Sequence, residues 1–249
     1  MYKKFFRLAA LSVCLWTSPA SWAAEQPVDD VAWRKSVEKI VEEYIRNRPE
    51  VIEQALQSLE KKREAEEQER IKATIAAKQD ELLKDPTSPI SGDAAGDVSV
   101  VEFFDYRCGY CKLVSSTLTQ LQKDDARVRI VYKNYPILGE ESVFAAKAAL
   151  AAGIQGKYHA FHEALFAAKT DLNSGQILKI AAKVGLNTKK LAIDMKNPEL
   201  DKIIERNRAL ANELGISGTP VFIVGKEIVT GAVELEALRE AVARARRSD

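Results

Sequence analysis

Cys108 and Cys111 stand three positions apart, with Gly109 and Tyr110 between them. A disulfide across so short a spacer closes almost no loop, and the entropic gain from a crosslink grows with the loop it closes, so this spacing is poorly suited to stabilisation. It suits chemistry better. At the start of a helix, residues three apart share a face and the first of them meets the positive end of the helix dipole. Such surroundings lower a thiol pKa from about 8.5 to roughly 3.5–7.5, which populates the thiolate that attacks and leaves in disulfide exchange. Cys108 is therefore expected to be the nucleophile. Cys111, one turn further in and less exposed, is expected to be the resolving thiol. The competing use of the pair, half of a zinc site, needs further ligands to make up four. His159 and His162 are the strong candidates, but they lie in a helical stretch whose apolar face is Phe161, Leu165 and Phe166, and they read as surface or partly buried histidines. No metal and no cofactor is expected.

Two other positions bear on the thiols. Glu102 precedes Cys108 by six residues among Val100, Val101, Phe103 and Phe104. These neighbours predict a central strand and a buried carboxylate, placed to accept or deliver a proton as Cys111 reacts. Gly218-Thr219-Pro220-Val221 sets an X-Pro bond at the entrance to a strand, a candidate cis peptide. Alone it is an ordinary turn. Combined with a cysteine pair at a strand-to-helix junction, it is expected to lie over the thiols and offer its backbone to an extended substrate by strand addition. Gly109, Tyr110, Thr219 and Pro220 are then the substrate-contacting positions. Tyr110 carries no positive charge, so milder thiolate stabilisation is expected than a histidine there would give.

The elements that must hold these residues follow from periodicity. Residues 98–104 read as a strand, 112–122 as a helix with Leu113, Leu118 and Leu121, and 127–132 as a second strand alternating Val128, Ile130 and Tyr132. Residues 140–215 turn helical, punctuated by Gly153, Gly175, Gly185 and Asn197-Pro198, with room for four or five helices. A hairpin over 221–224 and 227–229 turns at Gly225-Lys226, and a helix over 235–246 closes the chain. The order predicts an α/β protein, a thioredoxin fold with a helical subdomain inserted at about 140–215.

Asp85-Pro86-Thr87-Ser88-Pro89 through Gly96 reads as a boundary, which sets the domain at 85–249. Residues 24–84 read as a helical stalk. Two helices meet near Pro49, with apolar stripes that include Val37, Ile40, Val41 and Tyr44 in one and Ile52, Leu56 and Leu59 in the other, and 60–70 is almost wholly charged or Gln, a solvated spacer. Unbroken from Pro49 to Lys84, the second helix would be about 50 Å long. Self-association as a dimer or trimer would cover the stripes; the alternative is that these helices fold back on the catalytic domain. Ahead of them, Lys3, Lys4 and Arg7 precede an apolar run and Ser21-Trp22-Ala23, the pattern of a secretory signal over residues 1–23, with cleavage expected after Ala23. Cys14 would leave with it; bulky Val13 argues against Cys14 as a lipid attachment site. Removal leaves 34 Lys and Arg against 36 Asp and Glu, a balance without an electrostatic case for nucleic acid.

From Val98 onward the chain resembles the DsbA family of bacterial periplasmic disulfide oxidoreductases, in Glu102-Phe103-Phe104, Cys108-Gly109-Tyr110-Cys111, the helical insertion and Gly218-Thr219-Pro220. The resemblance implies a nucleophile at Cys108, a resolving cysteine at Cys111, a buried acid at Glu102 and the cis-proline at Pro220. Asn47-Arg48-Pro49-Glu50-Val51-Ile52 looks like the oligomerisation extension of the ScsC-type subgroup, named for suppression of copper sensitivity. Oxidases of the family usually carry Pro-His between the cysteines, whereas Gly-Tyr, and Thr before the cis-proline, resemble the dimeric DsbC isomerases. This implies a periplasmic homo-oligomer with isomerase and reductase activity on misdisulfided secreted proteins, kept reduced by a membrane reductase of DsbD type. The alternatives are a dithiol oxidase recharged by a DsbB-type membrane partner, a copper binder using the same thiols as soft ligands, and an envelope chaperone with incidental cysteines.

Overall fold

The computed structural model describes residues 31–248, so the expected signal, its cleavage site and Cys14 lie outside the described residues. The chain divides between Glu60 and Lys61 into two units, each taken separately. In the first, helix α1 (Val31–Asn47) buries no side chain, and Trp33, Ile40, Val41 and Tyr44 are exposed. Helix α2 (Glu50–Ala77) follows the turn at Arg48-Pro49, with Glu50 and Glu53 in its first turn, where carboxylates complement the helix dipole. Its early apolar residues Ile52, Leu56 and Leu59 are exposed as well.

The second unit begins at Lys61, where the composition placed a domain boundary at Asp85. Residues 61–70 are exposed, in keeping with a polar spacer, but Ile75 is buried to 3% and Leu82 to 1% in a core with Val101, Phe103, Leu210 and Val221. α2 stops at Ala77 rather than running to Lys84; Lys78 leaves helical geometry, ion-pairs with Glu81 and Glu213, and starts the short helix α3 (Gln79–Leu83). The breaker-rich segment beyond is tied down rather than free. Lys133, 1% exposed, donates from Nζ to Glu81 O at 2.6 Å, Ser88 Oγ at 2.8 Å and Asp85 Oδ2 at 3.1 Å. Burial pushes the Lys133 ammonium down, while hydrogen bonds from Thr87 and the Lys133 charge outweigh desolvation at Asp85 and hold its carboxyl at about 2.

Strands β1 (Ile90–Ser91), β2 (Val98–Phe104), β3 (Val128–Asn134), β4 (Val221–Val224) and β5 (Glu227–Thr230) form one sheet in the order β1-β3-β2-β4-β5. β2 and β3 are parallel; β1–β3, β2–β4 and β4–β5 are antiparallel. β1 lies inside the segment read as a boundary. Its two residues are too few to show a period, and pairing with Val131 and Ile130 makes it a strand. β2 alternates between two cores. Val100 and Phe104 pack with helix α4 (Gly109–Asp124) and helix α10 (Leu235–Ser248), while Val101 and Phe103 pack with α2 and α3 on the opposite face.

Between β3 and β4 come five helices, α5 (Glu140–Ile154), α6 (Tyr158–Phe166), α7 (Ser174–Lys183), α8 (Thr188–Asp194) and α9 (Pro198–Glu213). Asn173, Asn187 and Asn197 cap the last three, each side chain accepting a backbone N–H of its helix. Ala145, Ala148, Ala149 and Ala152 of α5 are fully buried or nearly so, and their small side chains let neighbouring helices approach. The result is a thioredoxin fold interrupted by a helical subdomain.

Candidate redox site

α4 starts at Gly109, three residues before the helix predicted from apolar spacing, because Cys108 takes extended geometry (φ −71°, ψ 119°) as its N-cap. The turn before it is built on Asp105. Asp105 O accepts from Cys108 N at 3.1 Å, and its carboxylate accepts from Arg107 N at 2.8 Å through Oδ1 and from Ile137 N and Leu138 N at 2.9 and 3.0 Å through Oδ2. A buried acid thus pins the loop after β3 to the cysteine turn. Sequence reasoning missed it, since Ile137 and Leu138, the partners that make it a pin, lie over thirty residues away and no local pattern announces them.

The two thiols differ in access. Cys108 is 7% exposed and its Sγ donates to Thr219 O at 3.3 Å; Cys111, one helical turn on, is 0% exposed. Burial pushes the Cys111 thiol far above its ordinary range, and the nearby Glu102 and Cys108 charges push the same way. Around the pair the surface is open: a Cβ on Gly109 would meet nothing within 4 Å, and Tyr110 is 66% exposed. The Thr219-Pro220 peptide is cis, Pro220 is buried, and Pro220 O accepts from Gly231 N at 2.9 Å.

Glu102 is 1% exposed, and neither carboxylate oxygen has a hydrogen-bond partner. Burial pushes its carboxyl up to about 8. It lines a cavity of about 110 Å³ together with Ser91, Gln122, Tyr132, His159 and His162. The histidines part company here. His159 is exposed, but His162 is 5% exposed, accepts or donates at 3.0 Å between Nδ1 and Tyr106 Oη, and is held neutral by burial, which lowers its pKa to about 3. Its ring sits among those of Phe104, Tyr132, Tyr158 and Phe166. Among the described residues, no three or more His, Cys, Asp or Glu side chains converge as a metal site would require.

A buried acid on the central strand, a thiol pair at a helix start and the Thr219 carbonyl before a cis-proline, held against the first thiol, define a thioredoxin-fold thiol site. The DSBA-like thioredoxin domain matches residues 99–243, and the chain belongs to that family of thiol–disulfide oxidoreductases. Residues 34–66 match the copper resistance protein ScsC N-terminal domain. Among solved structures, a thioredoxin-like oxidoreductase from Silicibacter pomeroyi is 49% identical, covering 68% of this chain and 97% of that one, with a TM-score of 0.67. The thiol-disulfide exchange protein alpha-DsbA2 from Wolbachia pipientis is 32% identical over 71% of this chain and 96% of its own, also at 0.67. A linker-deleted ScsC of Proteus mirabilis covers 90% of this chain and 100% of its own at 26% identity and 0.67. Of curated proteins, the Na(+)/H(+) antiporter NhaA 3 of Salinispora tropica is 28% identical over 155 residues, which are 61% of this chain but only 24% of the antiporter. Disulfide bond formation protein D of Bacillus subtilis is 25% identical over 168 residues, 62% of this chain and 75% of its own length. Among the described residues, no helix is long and apolar enough to cross a membrane.

Proposed function

We propose that this chain reduces and isomerises disulfides of secreted proteins in the periplasm as a homo-oligomer. The observation that carries the reading is the juxtaposition of Cys108 Sγ with Thr219 O at 3.3 Å over a fully buried Cys111. The Cys108 thiolate attacks one sulfur of a substrate disulfide. That S–S bond breaks, a mixed disulfide forms, and the second substrate sulfur leaves as a thiolate. If this thiolate attacks another substrate disulfide and the chain rearranges back onto the mixed disulfide, Cys108 is released unchanged and no electrons are transferred. If Cys111 instead gives up its proton and attacks Cys108 Sγ, the mixed disulfide breaks, the substrate departs as a dithiol having gained two electrons, and the enzyme, having lost them, holds a Cys108–Cys111 disulfide. Glu102, in its ionised form, serves as the proton acceptor for Cys111 in that step. Gly109, Tyr110, Thr219 and Pro220 border the place where an extended substrate lies.

The exposed apolar residues of α1 and early α2 support assembly as a dimer or trimer, and the signal-like segment over residues 1–23 supports export. A DsbD-type membrane reductase would return the pair to thiols. The similarity to a disulfide bond formation protein favours a second reading, dithiol oxidation recharged by a DsbB-type membrane partner. Trapping thiols in intact cells separates them: Cys108 and Cys111 mostly reduced supports isomerisation, mostly oxidised supports oxidation. Recovery of a scrambled-disulfide protein by the full chain, lost in Cys108→Ser, tests the exchange chemistry that both share.

A further inference from the structure

Beside the cis-proline loop lies a groove of about 370 Å³ whose lining comes from two sources. Leu214, Ile216, Val221 and Ile228 belong to the end of α9 and to the β4–β5 hairpin region; Glu67 and Ile71 belong to α2, an element outside the strand-helix unit that carries the thiols. The lining is mostly apolar, with Leu214, Ile216 and Val221 buried and Ile71 and Ile228 half-buried. At the rim the Glu67 carboxylate already holds Arg70, whose Nε donates to it at 2.8 Å, so the charge there is countered within the helix.

The groove adjoins the redox site at Thr219, which both lines it and accepts the Cys108 thiol hydrogen through its carbonyl. A polypeptide whose cysteine is bonded to Cys108, and whose backbone pairs with Thr219, carries its adjoining residues along Gly218 and Ser217, which line the same groove. Alternate side chains of an extended segment point the same way, about 7 Å apart, so a residue two positions from the substrate cysteine presents its side chain on the same side of that backbone as the cysteine. A small disulfide such as glutathione disulfide has no such residue.

We propose that this groove is a subsite for polypeptide substrates, taking a large apolar side chain close to the reacting cysteine, with Ile71 of α2 as a specificity-determining residue. The proposal rests on the reading that Cys108 attacks protein disulfides, and it gives the helix leading out of the N-terminal segment a part in recognition.

The test uses the full chain, reduced, and two peptides bearing one cysteine as a mixed disulfide with thionitrobenzoate, flanked two residues away on both sides by Leu in one and Ser in the other. Stopped-flow release of the yellow thiolate gives each rate, and glutathione disulfide serves as a reference substrate. The Leu peptide should react about tenfold faster than the Ser peptide. Ile71→Asp should bring that ratio close to one, and Ile71→Val should retain it. If Ile71→Asp does not fold, as judged by circular dichroism, Thr230→Trp, which fills the groove from its exposed edge, carries the same expectation. A ratio near one in the unmodified chain, or a ratio that survives filling or charging the groove, overturns the subsite while glutathione disulfide reactivity leaves the exchange reading standing. No reaction with any of the three substrates overturns both.

Discussion

Glu102→Gln should gain stability relative to the parent as the pH rises. In the folded chain the Glu102 carboxyl is buried to 1% exposure without a hydrogen-bond partner, and its pKa lies at about 8 against 4.5 for an ordinary glutamate. Between those values the unfolded chain has lost a proton that the folded chain keeps. Stability is therefore fully present below about 4.5 and falls as the pH rises towards about 8, where the loss levels off. At about 1.36 kcal/mol per pH unit the whole interval is worth about 5 kcal/mol, and between pH 5 and pH 8.5 about 4 kcal/mol. Water in the adjoining cavity would solvate the carboxylate, which makes these figures upper bounds. Gln does not titrate, so its own burial adds a constant offset. Urea unfolding of Glu102→Gln and the parent, both in a Cys108→Ser background so that no disulfide forms, should show a stability difference that widens by several kcal/mol from pH 5 to pH 8.5. A difference constant to within about 1 kcal/mol would refute the burial argument. With both cysteines present, the same substitution should slow the release of a substrate mixed disulfide by Cys111 by about 10²-fold, through loss of its proton acceptor.

Two further outcomes follow from the packing. Lys133→Met should lower stability by about 3 kcal/mol, read from urea midpoints, because Asp85 and Ser88 lose a buried donor; an unchanged midpoint would mean that the ammonium is dispensable. A chain starting at Lys61 should unfold cooperatively near the temperature of the full chain. One starting at Asp85 should not, since it lacks the buried Ile75 and Leu82, each of a kind worth about 2–5 kcal/mol when truncated. Equal melting of the two would place the boundary at Asp85.

The parts of the site that were legible share one property: their signal is local. Cys108, Gly109, Tyr110 and Cys111 sit together at a junction where strand alternation gives way to helical spacing, and Glu102 stands out as one acid among apolar strand residues. The hairpin and the five inserted helices announce themselves by Gly, Pro and capping Asn. What escaped depends on contacts distant in sequence. Asp105 looks like an ordinary turn acid until the loop at Ile137 and Leu138 is laid against it, and Lys133 looks like a surface lysine until Glu81, Asp85 and Ser88 converge on its ammonium. His162 differs from its exposed neighbour His159 in helical phase, and that phase decides which ring is buried in the aromatic cluster.

At the end of α2, composition and packing divide the chain at different places. Residues 60–70 are so strongly charged that they read as solvent-exposed, and they are; yet the helix carries that polar stretch directly into Ile71 and Ile75, which join the core beneath β2 and β4. One face of the catalytic sheet is thus completed by a helix that begins in the N-terminal segment. If Ile71 also lines the substrate groove, a change in this helix would alter recognition without touching a thiol, and selectivity between peptides would shift while reactivity towards small disulfides is set by Cys108 and Cys111 alone.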